Sequence, residues 1–155
     1  MDEGAFSVLD AELRARCREI DRIGNRIEER RRTFDRHAAA EVDSLAYQLH
    51  NLYSAFEQLF EEVARFFENR IDEARYHADL IRRMRLEIHG IRPALLCEAT
   101  ASDLDELRRF RHLFRHAYAT DLDPTKVAKL AAKVPGIRGA FGQDFERFLT
   151  RLRPD

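Results

Sequence analysis

Glycine and proline are scarce in this chain, with 6 and 4 copies among 155 residues. Strand-rich folds need many tight turns, so this shortage argues for long helices joined by few loops. Cysteine is limited to Cys17 and Cys97. The two are far apart, match no metal-ligand spacing and sit in helix-like contexts, which reads as reduced packing thiols in a reducing compartment. No apolar run approaches the roughly 20 residues needed to span a bilayer. The acidic start, Met1-Asp2-Glu3-Gly4, has no basic segment with an apolar run behind it, so no ordinary secretory signal is expected. The expected location is the cytoplasm, without a membrane partner. Lysine is nearly absent, 3 against 24 arginines. Arginine-rich codon usage explains that more simply than selection for phosphate-binding forks.

What is present is 45% hydrophobic and 35% charged, with a net charge of −1. That balance fits one helical bundle with densely charged outer faces, and acids and bases so interleaved leave room for a nucleic-acid surface only as a local patch. The apolar residues fall on helical stripes. Phe6, Leu9, Leu13, Ile20, Ile23 and Ile27 mark a first helix with Ser7 as its cap. Ala38, Val42, Leu45, Leu49, Leu52, Phe56, Leu59, Val63 and Phe66 mark a second, with Ala46, Tyr53, Phe60 and Phe67 as a parallel row. The break is expected within Arg30 to Arg36, a single long helix being the alternative. Leu80, Met84 and Ile88 give a third helix closed by Gly90 and Pro93. Thr100 with Asp103 resembles a capping box opening a fourth, which carries Leu104, Leu107, Phe110, Phe114 and Tyr118. Asp123 and Pro124 start a fifth. Pro135-Gly136 is expected to interrupt it before a last helix carrying Phe141, Phe145, Phe148 and Leu149. The fold class is therefore all-α, an up-and-down bundle of five to six helices. It forms a single domain, 1–155, divided into an N-terminal helix (6–36) and a main bundle (38–155).

The fourth helix carries the chemistry. Projected at about 100° per residue, Leu107, Phe110, Leu113, Phe114 and Ala117 share the expected buried face, and Arg108, Arg111, His112, Arg115 and His116 the opposite one. No acid occurs between Leu107 and Thr120, although the chain holds 28. Such a surface suits phosphate. Histidine exchanges protons near neutral pH, and arginine stabilises charge on a transferring phosphoryl group without losing its own proton. Together they suffice for metal-free cleavage of RNA, whose 2′-hydroxyl DNA lacks. On composition alone, a solvated face is the simpler reading. Arg111 and His116 lie about 140° apart on an ideal helix, so meeting at one atom needs a distorted helix or a second copy of the chain. His112 and His116, one turn apart, could bind zinc, but two histidines are weak evidence for any metal, and no Glu-x-x-His pair is present.

The stretch Arg111-His112-Leu113-Phe114-Arg115-His116-Ala117-Tyr118 resembles the Arg-polar-x3-His-x-Tyr motif of HEPN ribonucleases, specifically the HepT-like toxins of toxin–antitoxin pairs. The flanks Leu49 to Glu57, Gly90 to Ala94 and Leu107 to Phe110 resemble a HepT-like subgroup, and the similarity runs from Ala38 onward. The resemblance implies a helical homodimer that cleaves RNA in a cleft between protomers, with no metal and no cofactor. It implies catalytic roles for Arg111 and His116, with His112 at the motif's polar position. It also implies that Tyr118 can be adenylylated by a nucleotidyltransferase antitoxin, which would set bulk and negative charge beside Arg111. Arg108, Arg115 and His112 are the candidate RNA and phosphate contacts. His50, Asn51, Tyr53 and Glu57 are expected to be polar residues bonded inside the bundle, or else a support to the cleft. Arg92 is expected to hold the loop after the third helix. The competing function is a non-enzymatic helical module that binds a nucleotidyltransferase or nucleic acid through the same basic face.

Overall fold

The computed structural model describes residues 1–68, 76–116 and 122–154, with 76–78 as backbone alone. Among them are five helices: α1 (Glu3–Arg32), α2 (Ala39–Glu68), α3 (Tyr76–Met84), α4 (Glu98–His116) and α5 (Pro124–Leu152). No named strand occurs among the described residues, and the one β-bridge joins Ile88 and Arg92 across the Gly90 turn. This is the all-α bundle that the stripes predict. Helix α2 is its axis and packs against each of the other four. Its two apolar rows explain this: Leu45, Leu49, Leu52, Phe56, Leu59 and Val63 are buried, and so are Ala46, Tyr53 and Phe60 beside them. Two adjacent rows span more than one neighbour can cover. Phe56 and Phe60 meet Phe141 of α5, the first edge-on at 5.0 Å between centroids.

Several boundaries differ from expectation. Helix α1 begins at Glu3, where the Asp2 carboxylate accepts the Ala5 N–H at 2.8 Å; Ser7 sits inside the helix and donates to the Glu3 carbonyl. Helices α1 and α2 are separate, as the charged stretch suggests. Met84 ends α3, so Ile88 belongs to the following loop. Helix α4 starts at Glu98, ahead of the Thr100–Asp103 pair. Its start is set from α5: Asp144 accepts the Cys97 N–H at 2.9 Å, and Thr100 is fully buried beside the Cys97 sulfur. Cys97 itself is exposed rather than packed. Phe66 is also largely exposed, at the far end of its stripe.

The clearest departure is α5, which runs unbroken through Pro135. A proline inside a helix costs about 3 kcal/mol through a lost hydrogen bond and a ring clash. Here Val127, Leu130, Ala131, Val134, Ile137, Phe141, Phe145 and Phe148 keep one buried stripe across the proline. Burying each large apolar side chain contributes about 1.5–3 kcal/mol, so the stripe outweighs the defect. Pro135 and Gly136 both lie on the exposed side.

The loop from α3 to α4 is organised by Arg92, as expected. Its side chain is fully buried and donates to the carbonyls of Arg83, Leu86 and Pro93 and to Glu68 at 2.6 Å. Arg83 pairs with the same carboxylate. Leu95 and Leu96 then return N–H bonds to the Met84 carbonyl, which aims the chain into α4.

Candidate functional site

Helices α2 and α4 pack side by side, and the candidate residues lie along their seam. Leu104 and Leu107 are buried, with Phe110 and Phe114 partly so. Leu113, expected on the buried face, is 56% exposed. Arg111, expected on the solvated face, is drawn in. Its Nη1 donates to Glu57 Oε1 at 2.8 Å, with the two side chains 14% and 8% exposed. Its guanidinium also lies 5.5 Å from the centre of the buried Tyr53 ring. The projection failed because an arginine opposite a carboxylate and an aromatic face gains partners that a solvent-facing one lacks. Tyr53 and Glu57 are one turn apart on α2, so they present one surface to α4.

A hollow of about 140 Å³ opens over this pair. Tyr53 and Glu57 line it from α2, and Arg108, Arg111, His112, Arg115 and His116 line it from α4. Arg111 and His116 thus border one space within one chain, so their ideal-helix angle does not by itself require a second copy. The His112 and His116 rings lie 4.6 Å apart and tilted. The face is less bare of acid than the sequence suggests: Asp105 pairs with Arg108 at 2.7 Å and Arg109 at 2.9 Å, from just before the acid-free stretch. Desolvation alone would raise the Asp105 carboxyl, but the two guanidiniums outweigh it and hold it below its ordinary range. Tyr118 lies outside the described residues, as does Ala117.

Beside the hollow runs an aromatic strip. His50 sits 5.3 Å from Phe114 and 6.4 Å from Tyr47, which is 53% exposed. Burial, together with Arg111 and Arg115, lowers the His50 pKa below its ordinary value. Of the second-helix residues weighed from sequence, Tyr53 and Glu57 line the hollow and His50 abuts it. Their spacing on α2 was readable, whereas their pairing with α4 needed the tertiary fold.

No group of three or more metal-ligating side chains occurs among the described residues. A larger groove, about 680 Å³, lies between α1 and α5 around Cys17, Phe141 and Phe145, away from the histidines. Burial pushes the Cys17 thiol up to about 12, which disfavours the thiolate at neutral pH. The smaller hollow is where the candidate arginines and histidines of α4 meet.

A sequence profile of the HepT-like protein family matches residues 44–152. The chain belongs to the HepT-like protein family. HepT-like proteins are generally part of toxin–antitoxin pairs and are related to the HEPN superfamily, whose members are generally ribonucleases. The match takes in both walls of the hollow and starts beyond α1. Comparison with curated proteins and with solved structures gave no match. No helix among the described residues is long and apolar enough to cross a membrane.

Proposed function

We propose that this HepT-like protein is the toxin of a toxin–antitoxin pair and acts as a metal-independent endoribonuclease. The observation that carries the reading is the hollow itself: Arg108, Arg111, His112, Arg115 and His116 border one small space at the α2–α4 seam. In the proposed reaction, the proton leaves the ribose 2′-hydroxyl as its oxygen attacks the adjacent phosphorus. The bond to the 5′-oxygen breaks, and that oxygen takes up a proton. The products are a 2′,3′-cyclic phosphate and a 5′-hydroxyl. His116 is the proton-transfer group, as general acid or base. Arg111, held by Glu57, stabilises the pentavalent phosphate. Arg108, His112 and Arg115 contact RNA phosphates.

The proposed active form is a homodimer, with the whole of 1–155 as one domain and α1 completing the bundle. The antitoxin partner is a nucleotidyltransferase that adenylylates Tyr118 and so blocks phosphate entry. Purified protein in EDTA is expected to cleave single-stranded RNA and leave a cyclic phosphate. His116→Ala is expected to lose at least about 100-fold in rate at unchanged stability, as removal of a proton-transfer group does. Normal cleavage by that variant would remove His116 from the mechanism.

One observation favours a non-enzymatic alternative: Arg108, Arg109 and Arg111 are all paired with acids. A binding module presenting this face to nucleic acid or to a nucleotidyltransferase would leave RNA intact in the same assay.

A further inference from the structure

Tyr53 has no exposed surface, and its hydroxyl has no hydrogen-bond partner. Buried phenols ordinarily find one, and an unpaired buried hydroxyl destabilises a fold. The ring does not account for the oxygen. Phenylalanine fills the equivalent buried role at positions 56 and 60 on the same helix, and it would keep the same aromatic face beneath Arg111. A second orphan belongs to another residue that lines the hollow: Arg111 Nε is buried without a partner, although Nη1 is bound to Glu57. Two residues lining one space each hold a buried donor that lacks an acceptor, and Arg115 and His116 line it too. An oxyanion supplies the acceptor each lacks. Burial also raises the phenol's pKa, so it remains a donor at neutral pH.

We infer that Tyr53 is a phosphate-binding residue of the hollow, its hydroxyl donating to a non-bridging phosphate oxygen of RNA beside the Arg111 guanidinium. The inference rests on the ribonuclease reading. His112, Arg115 and His116 are exposed, so they can change rotamer as the phosphate enters. Negative charge on the non-bridging oxygens shifts as the pentavalent state forms. A preset donor there acts more strongly on the transition state than on the bound substrate. The effect therefore falls on kcat more than on KM.

Tyr53→Phe tests this by removing one oxygen and nothing else. Two quantities are measured: cleavage of single-stranded RNA in EDTA, and the rise in Tm caused by inorganic phosphate, which reports anion binding. The expected result is a fall in kcat of about tenfold or more with KM little changed, as for loss of one preset donor. The Tm without phosphate should hold or rise, and the phosphate-induced rise should shrink. Cleavage within about twofold of the unaltered protein overturns the inference whatever phosphate does. A fall in cleavage with an unchanged phosphate response also overturns it, because the hydroxyl then serves something other than phosphate. So does a drop of several degrees in the unliganded Tm, which marks a structural hydroxyl. If the unaltered protein leaves RNA intact, the ribonuclease reading falls by itself. The phosphate response then decides for Tyr53 alone: a smaller rise in the variant supports it and an equal rise overturns it.

Discussion

At the scale of single residues, the α2–α4 seam is governed by where charge meets burial. Arg111 reaches the interior only because Glu57 meets it at 2.8 Å and Tyr53 offers a ring face. The same arginine disfavours a proton on His50, together with burial and Arg115. A histidine whose folded pKa is depressed binds its proton more readily when unfolded. Stability is then intact above the ordinary imidazole value of about 6.5, falls as pH drops below it, and levels off below the folded pKa. Urea unfolding between pH 8 and pH 5 should therefore show a larger loss for the unaltered protein than for His50→Gln. Equal losses would mean that His50 titrates as in the unfolded chain.

At the scale of elements, α4 and α5 show how tertiary contacts set helix ends and continuity. Asp144 of α5 fixes the start of α4. Burial alone would raise its carboxyl, but the Cys97 N–H, Thr100 and Arg147 outweigh that and hold it below the ordinary range. Asp144→Ala leaves the Cys97 N–H without its acceptor and is expected to cost about 1–3 kcal/mol in urea unfolding. Its contribution is present above the unfolded carboxylate pKa and is lost as pH falls through the folded one. Pro135 predicts the opposite sign. It sits on the exposed side of a helix that other residues hold together, so Pro135→Ala restores an N–H bond and removes the ring clash. After allowing for a more flexible unfolded chain, the expected gain is about 1–2 kcal/mol. A thermal melt that shows no gain would mean that the helix has already relaxed around the ring.

At the scale of the whole molecule, α2 touches every other helix, and α1 and α5 pack on each other as well. Arg138 of α5 lies across Gly24 of α1 and reaches Asp21 and Asn25; a Cβ at position 24 would stand 2.6 Å from its side chain. On the hollow's side, by contrast, Leu113 and Tyr47 stay exposed. If the proposed homodimer forms there, the protein should run in light scattering at twice its 18.2 kDa chain mass. Leu113→Asp should return it to the monomer mass, because a charge at a buried apolar contact is strongly unfavourable. Cleavage should fall with dimer content. A dimer that survives this change uses another face.

By itself, the sequence determined the helical class, most of the stripes, the Asp123 and Pro124 start of α5, the Arg92 loop and the family. The family rests on the likeness of the Arg111–Tyr118 stretch and its flanks to HepT-like proteins; the rest follows from spacing along one chain, and spacing is local. It could not determine that α5 continues past Pro135, that Asp144 begins α4, or that Arg111 turns inward while Leu113 stays out. Each is a balance between a local penalty and a partner far along the chain: an apolar stripe facing α2, an N–H 47 residues away, a carboxylate 54 residues away. The hollow at the α2–α4 seam is likewise a product of packing. The sequence supplied its histidines and arginines, and the tertiary structure placed Tyr53 and Glu57 beneath them.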